Sequence, residues 1–89
     1  MPTVTFTKNL QRHIECHGMD VSAATVREAL EEVFTAYPKV RSYVLDDQAV
    51  LRKHMNIFVD GLPLRDRQGL SDPVEPDSEI YVMQALSGG

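Results

Sequence analysis

Several kinds of chemistry are closed to this chain by what it lacks. It has one cysteine, Cys16, so no disulfide can form within it. No apolar run approaches the roughly 20 residues that span a bilayer. Nine basic residues stand against thirteen acidic ones, for a formal net charge of −4. That balance offers no basic stripe for nucleic acid or an anionic membrane. There is no internal repeat and no low-complexity stretch. With 89 residues the chain suits one compact domain, and its hydrophobic share of 43% is enough for a core without a structural metal. Met1-Pro2-Thr3-Val4 passes at once into a strand-like pattern and leaves no room for a targeting segment. A soluble cytoplasmic protein is expected.

Periodicity sets out the elements. Val4 and Phe6 alternate with Thr3, Thr5 and Thr7, which predicts a half-buried first strand. Residues 8–11 read as a turn or loop. A second strand is expected through Met19, Val21 and Ala23, with Asp20 and Ser22 on its other face and Gly18 as a bend before it. Thr25-Val26-Arg27-Glu28 then matches a capping box, in which hydroxyl and carboxylate each satisfy an orphaned amide at a helix start. Val26, Ala29, Leu30, Val33, Phe34 and Tyr37 recur at helical spacing as one apolar stripe, and Tyr37-Pro38 ends it. Residues 38–45 suggest a short helical turn with Val40 and Val44 inward. Asp46-Asp47-Gln48 reads as a turn, and Ala49-Val50-Leu51 as a short strand.

Met55, Ile57 and Val59 alternate with Asn56 and Phe58 in a clear strand closed by Asp60-Gly61. Residues 62–77 are rich in Pro, Gly, Asp and Arg and are expected to be mostly loop, with a short edge strand near Leu64. Ile80 and Val82 alternate with Tyr81 and Met83 in a last strand, and residues 86–89 follow as a tail. Two strands, a main helix and further strands predict an α+β fold: a mixed sheet of four to five strands with one helix across a face. First and last strands running parallel at the centre would make it a β-grasp domain over residues 1–85, with the tail at 86–89.

The terminal Gly88-Gly89 is a weak signal alone, since chance ends about one chain in two hundred this way. Its context adds weight, because the tail comes directly off a buried-type strand. Residues 77–89, Asp-Ser-Glu-Ile-Tyr-Val-Met-Gln-Ala-Leu-Ser-Gly-Gly, resemble the end of the ThiS/MoaD family of ubiquitin-like sulfur carriers. Residues 55–61 resemble its middle strand, and the capped helix falls where the family has its main helix. The segment at 38–54 is most similar to the cysteine-synthesis-type carriers of that family. Pro76 departs from the glycine usual before the acidic residue that opens the last strand, which leaves the local turn type open.

The resemblance implies a carrier acted on by enzymes, not an enzyme. A ubiquitin-activating-type adenylyltransferase and sulfurtransferase, using ATP and magnesium, makes an acyl-adenylate at Gly89. A sulfur donor then converts it to a thiocarboxylate, which a biosynthetic enzyme accepts. Which pathway is served, cysteine, thiamin, molybdopterin or a sulfur-containing siderophore, stays open. The chain itself binds no cofactor and is monomeric when free. Gly88 gives clearance in a narrow channel, because glycine lacks a Cβ. Extended, residues 86–89 span about 13 Å. Leu86 and Ser87, with Phe58, Tyr81 and Met83 on the open face of the sheet, are the candidate partner contacts. Alternatives are the small subunit of molybdopterin synthase, a ubiquitin-like modifier of lysines, and an interaction domain without covalent chemistry.

Other features carry less. His13 and His17 lie about 13 Å apart if extended, too far to share one metal, and Cys16 lacks a pocket-forming context. No metal site is expected. Arg52-Lys53-His54 with Arg65 and Arg67 reads as a solvated basic surface, with contact to an acidic partner as the alternative. Glu28, Glu31 and Glu32 suit the start and exposed side of the helix through its dipole.

Overall fold

A computed structural model describes residues 1–11 and 18–84. The elements in chain order are β1 (Thr3–Phe6), α1 (Lys8–Gln11), β2 (Gly18–Asp20), α2 (Val26–Ala36), α3 (Val40–Val44), β3 (Met55–Val59), β4 (Leu62–Pro63) and β5 (Glu79–Gln84). The strands form one five-stranded sheet in the order β2-β1-β5-β3-β4. β1 and β5 run parallel at its centre, with Val4 beside Ile80 and Phe6 beside Val82. The other neighbours are antiparallel. This is the β-grasp arrangement expected from the sequence.

Alternation decides which face is covered. Val4, Phe6, Met55, Ile57, Ile80 and Val82 all point to one side and are buried there. α2 packs against that side and buries Val26, Ala29, Leu30, Val33 and Phe34. Each such aliphatic or aromatic side chain contributes about 1.5–3 kcal/mol when fully removed from water. Tyr37, the last member of the expected stripe, is instead exposed. It sits beyond the helix as its C-cap, with its N–H bonded to the Val33 carbonyl. At the other end Thr25 Oγ1 accepts from the Glu28 N–H at 3.3 Å, and the Glu28 carboxylate accepts from the Ala24 N–H at 3.2 Å. The capping box is thus present, with its return bond one residue earlier than usual.

Elsewhere the chain departs from the sequence reading. Residues 8–11, read as a turn or loop, form α1, a single helical turn whose amides at Leu10 and Gln11 bond to the Thr7 carbonyl. β2 stops at Asp20: after the Val21 N–H reaches the Pro2 carbonyl the chain leaves the sheet for the helix cap. Residues 49–51 form no strand, because only Leu51 bridges to Leu45. The short edge strand expected near Leu64 is present at Leu62–Pro63, and Leu64 just beyond it turns inward. The loop that follows is part of the core: Leu64, Leu70 and Val74 are all buried.

That loop has no ladder, so side chains staple it. Asp66 accepts from the N–H groups of Gln68, Gly69 and Ser71 and from the Ser71 hydroxyl. Asp72 accepts from the amides of Arg65 and Asp66. Arg27 of α2 donates to the carbonyls of Gly69, Gln68 and Ala49. Among the described residues no buried side-chain polar atom lacks a partner.

Gly18 is not the bend expected before β2 but its first rung, opposite Thr5. Its φ is +155°, and a Cβ there would stand 2.6 Å from the Val4 carbonyl oxygen of β1. Backbone cannot yield as a flexible side chain would. Gly18→Ala is expected to destabilise the domain by about 2 kcal/mol, read as a lower urea midpoint with an unchanged m-value. A midpoint equal to wild type would contradict the close approach.

Candidate functional site: the open sheet face and the base of the C-terminal tail

Among the described residues the sheet face opposite α2 is left open at Tyr81. In-register pairing places Tyr81 between Phe58 of β3 and Thr5 of β1, and Met83 beside Asn56. Phe58, Tyr81 and Met83 therefore share one face, as alternation predicts, and with Gly61 and Glu79 they line a shallow depression of about 330 Å³. Tyr81 is 42% exposed in spite of lying on the central strand. Gly61 and Glu79 were not among the candidates. Glu79 had a legible signal, since it precedes Tyr81 by two residues and so shares its face.

β5 is the base of the tail, and it is held on both sides. Its first four residues pair with β1 and its last five with β3, ending on the rung Gln84–Met55. Residues 85–89 follow, so the candidates Leu86, Ser87, Gly88 and Gly89 lie outside the described residues, as do His13, Cys16 and His17.

The start of β5 is fixed by a polar knot. Asp60 and Gly61 both have positive φ, +52° and +84°, and join Val59 to Leu62 as a two-residue turn of the primed type that asparagine or aspartate followed by glycine favours. The Asp60 carboxylate accepts the Ser78 hydroxyl at 2.8 Å and the Glu79 N–H at 2.9 Å, while its own N–H bonds to the Glu79 carbonyl. Ser78, almost fully buried, accepts in turn from the Glu75 N–H at 2.8 Å. Pro76 lies inside the turn closed by the Ser78 N–H on the Glu75 carbonyl. Proline suits the second position of such a turn. Asp77 is not among the residues with positive φ, which leaves out a type II turn. The turn type that the sequence left open is thus settled without glycine.

These basic residues divide into latches and exposed side chains. Arg67 Nη2 donates to the carbonyls of Arg52 at 2.9 Å and Met55 at 2.8 Å. Arg52 Nε donates to the Ser42 carbonyl. Lys53, His54 and Arg65 are exposed. The acidic residues of α2 are engaged specifically: Glu31 pairs with Arg41 at 2.9 Å, Arg41 lies 4.7 Å above the Phe34 ring, and Glu32 accepts from the Ser22 N–H. The dipole alone does not account for them. Among the described residues no group of histidine, cysteine, aspartate or glutamate could hold a metal, and no helix is long and apolar enough to cross a membrane.

Comparison with known proteins now decides the family, because the pattern of the ThiS family matches residues 10–89. The chain belongs to the ThiS family. These are small ubiquitin-like sulfur carriers and not enzymes. No curated protein sequence matches the chain. Among solved structures, SAMP1 from Haloferax volcanii is similar at 23% identity over 99% of this chain and 98% of that one, with a TM-score of 0.82. A chain of the Amycolatopsis orientalis BexX/CysO complex is similar at 21% identity over the whole of both chains, with a TM-score of 0.84. CysO from Mycobacterium tuberculosis is similar at 18% identity over 97% and 100%, with a TM-score of 0.80. At these identities the three establish the fold.

The polar knots of this ThiS-family member carry a pH dependence. The Glu79 amide and then the Ser78 hydroxyl hold the Asp60 carboxyl below its ordinary value, and the Ser71 hydroxyl and Gly69 amide hold Asp66 down to about 2. A carboxyl lowered in the folded state contributes stability above its unfolded value of 3.8, and that contribution is lost as pH falls through the folded value. Stability is therefore expected to decline between about pH 4 and pH 2, and Asp60→Asn with Asp66→Asn to flatten that decline while lowering stability at neutral pH. Urea midpoints across this range test it, and an equally steep decline in the double variant would contradict it.

Proposed function

We propose that this chain carries sulfur on its C-terminal carboxyl group. The carboxylate of Gly89 attacks the α-phosphorus of ATP on an activating enzyme, pyrophosphate leaves, and an acyl-adenylate forms. A donor at the oxidation level of sulfide then attacks the Gly89 carbonyl carbon and AMP leaves, so that a thiocarboxylate remains. ATP and its magnesium belong to the partner. The product is a soft nucleophile that a biosynthetic enzyme takes up without release of free sulfide.

The observation that carries this reading is the family match running to residue 89, onto a tail whose base is the central strand. A rigid base suits an end group that must reach a buried nucleotide, because orientation then costs the partner little. The open face with Phe58, Tyr81 and Met83 gives the partner a place to grip beside that base. A chain of this fold is found with BexX in the Amycolatopsis orientalis complex, which favours docking on a partner protein. The name small archaeal modifier protein, borne by a similar structure from Methanosarcina acetivorans, favours a second reading in which the same activated carboxyl is passed to lysines.

Intact-mass analysis with the cognate activating enzyme, ATP, magnesium and a sulfur donor decides between them. Replacement of one terminal oxygen by sulfur supports the carrier, and conjugates of higher mass on denaturing gels support the modifier. Absence of both adenylate and thiocarboxylate sinks the proposal. Gly88→Val is expected to slow adenylation about 100-fold and to leave stability within about 0.5 kcal/mol. Tyr81→Ala is expected to lower kcat/KM for adenylation about 10-fold, through KM. Wild-type kinetics in the Tyr81 variant would remove the open face from the docking surface.

A further inference from the structure

Charge is not spread evenly along β5. Its first rungs lie among carboxylates: Glu79 on the strand, Asp77 before it, Asp60 on the β3–β4 turn, and Asp20 on β2, where it accepts the Thr3 hydroxyl. Its last rung is Gln84–Met55, and the chain just before Met55 is Arg52-Lys53-His54. β1 ends at the same edge of the sheet and leads into α1, which begins at Lys8 and packs beside β5. Lys53 thus stands two residues before the last rung of β5, in a protein of net charge −4.

The turn at 52–54 is built and not loose. The Met55 N–H bonds to the Arg52 carbonyl, and Arg67 donates to the carbonyls of Arg52 and Met55 from outside. The Leu51 N–H bonds to the Arg67 carbonyl, and the Arg52 N–H to that of Val44. Arg52 itself is spoken for: its Nε is on the Ser42 carbonyl, and it shares a depression with Asp46 and Asp47. Lys53 is different. It is exposed, and no carboxylate among the described residues pairs with it. Six backbone-directed hydrogen bonds around this turn hold a cation that no described carboxylate pairs with, two residues before the last rung of β5.

We propose that Lys53, on the turn that Arg67 locks, is the electrostatic part of the docking surface and meets carboxylates that rim the activating partner's entry for the tail. The proposal rests on the carrier reading above. The apolar face supplies contact area, whereas the opposed charges at the two ends of β5 set the direction in which the tail is presented. A partner engaging this face in the reverse sense would bring like charges together at both ends, which is penalised. Arg67 acts as a positioning residue, since its guanidinium is engaged with the Arg52 and Met55 carbonyls on either side of Lys53.

The test is the salt dependence of adenylation by the cognate enzyme for wild type, Lys53→Glu and Lys39→Glu. Lys39 is the remaining lysine, exposed in the link between α2 and α3, and its reversal changes the net charge equally. At low ionic strength Lys53→Glu is expected to lose about 10-fold in kcat/KM, through KM. At about 0.5 M salt, where screening is nearly complete over a few ångströms, the loss is expected to shrink below about 2-fold. Lys39→Glu is expected to stay within about 2-fold of wild type at both salts. Lys53→Glu that behaves like Lys39→Glu, gains activity, or keeps its loss at high salt overturns the proposal. Normal activation of wild type in those cases leaves the carrier reading intact. Failure of wild type to be adenylated at all overturns that reading, and the role of Lys53 with it.

Discussion

The parallel pairing of β1 with β5 is the constraint on which the other features rest. It joins residues 3–6 to residues 79–82 and so closes nearly the whole chain into one loop. Parallel neighbours cannot be linked by a tight turn, so the intervening chain has to cross the sheet, and α2 is the element that does so. The pairing also puts the last strand in the middle, with a partner on each side. Its backbone groups are satisfied by the ladders, and its side chains divide between a covered face and an open one. A C-terminal segment is usually the least ordered part of a domain. Here the residues up to Gln84 belong to the most heavily paired strand in the sheet.

What could be read from the sequence was whatever repeats locally. The helix stripe over residues 26–34 and the two-residue alternation of Val4/Phe6, Met55/Ile57 and Ile80/Val82 are periodic signals, and each lands in the core, while the Thr25 cap was legible as a local motif. α1 was legible only as a turn or loop, because a single helical turn has no period to show and residues 8–11 carry no capping pattern. Tyr37 was assigned to the stripe because spacing continues past Ala36, although Pro38 stops the helix before that residue can face the sheet. The buried trio Leu64, Leu70 and Val74 was hidden by its surroundings of Pro, Gly, Asp and Arg. Those polar residues are what allow the loop to be buried at all, since Asp66, Asp72 and Arg27 take over the amides and carbonyls that no ladder satisfies.

The candidate site follows the same division. That Phe58, Tyr81 and Met83 share a face is a consequence of strand period and pairing register, and both were legible once β3 and β5 were taken as neighbours. The contribution of Gly61 depends on the β3–β4 hairpin, whose Asp60-Gly61 turn was legible but whose second strand is only two residues long. Arg67 could not have been found from its neighbours in sequence. Its guanidinium works on carbonyls 12 and 15 residues away, and nothing in the local pattern separates it from Arg65, which the fold leaves exposed.

These placements bear on how a small domain can serve a reactive end that it does not itself act upon. A carrier of the kind proposed has no side chain performing chemistry, so the partner must obtain all its transition-state geometry from where the end group is delivered. Binding energy from a remote face helps only if the link between face and end is stiff, because slack would be settled at the moment of reaction. In that proposal β5 is the link: the same six residues carry Tyr81 and Met83 on the open face and precede residues 85–89. The knot of Asp60 and Ser78 fixes the strand at its start, and the Arg67-held turn fixes the rung at its end. What the proposal asks of the terminal glycines is only that their lack of side chains lets enzyme backbone come close.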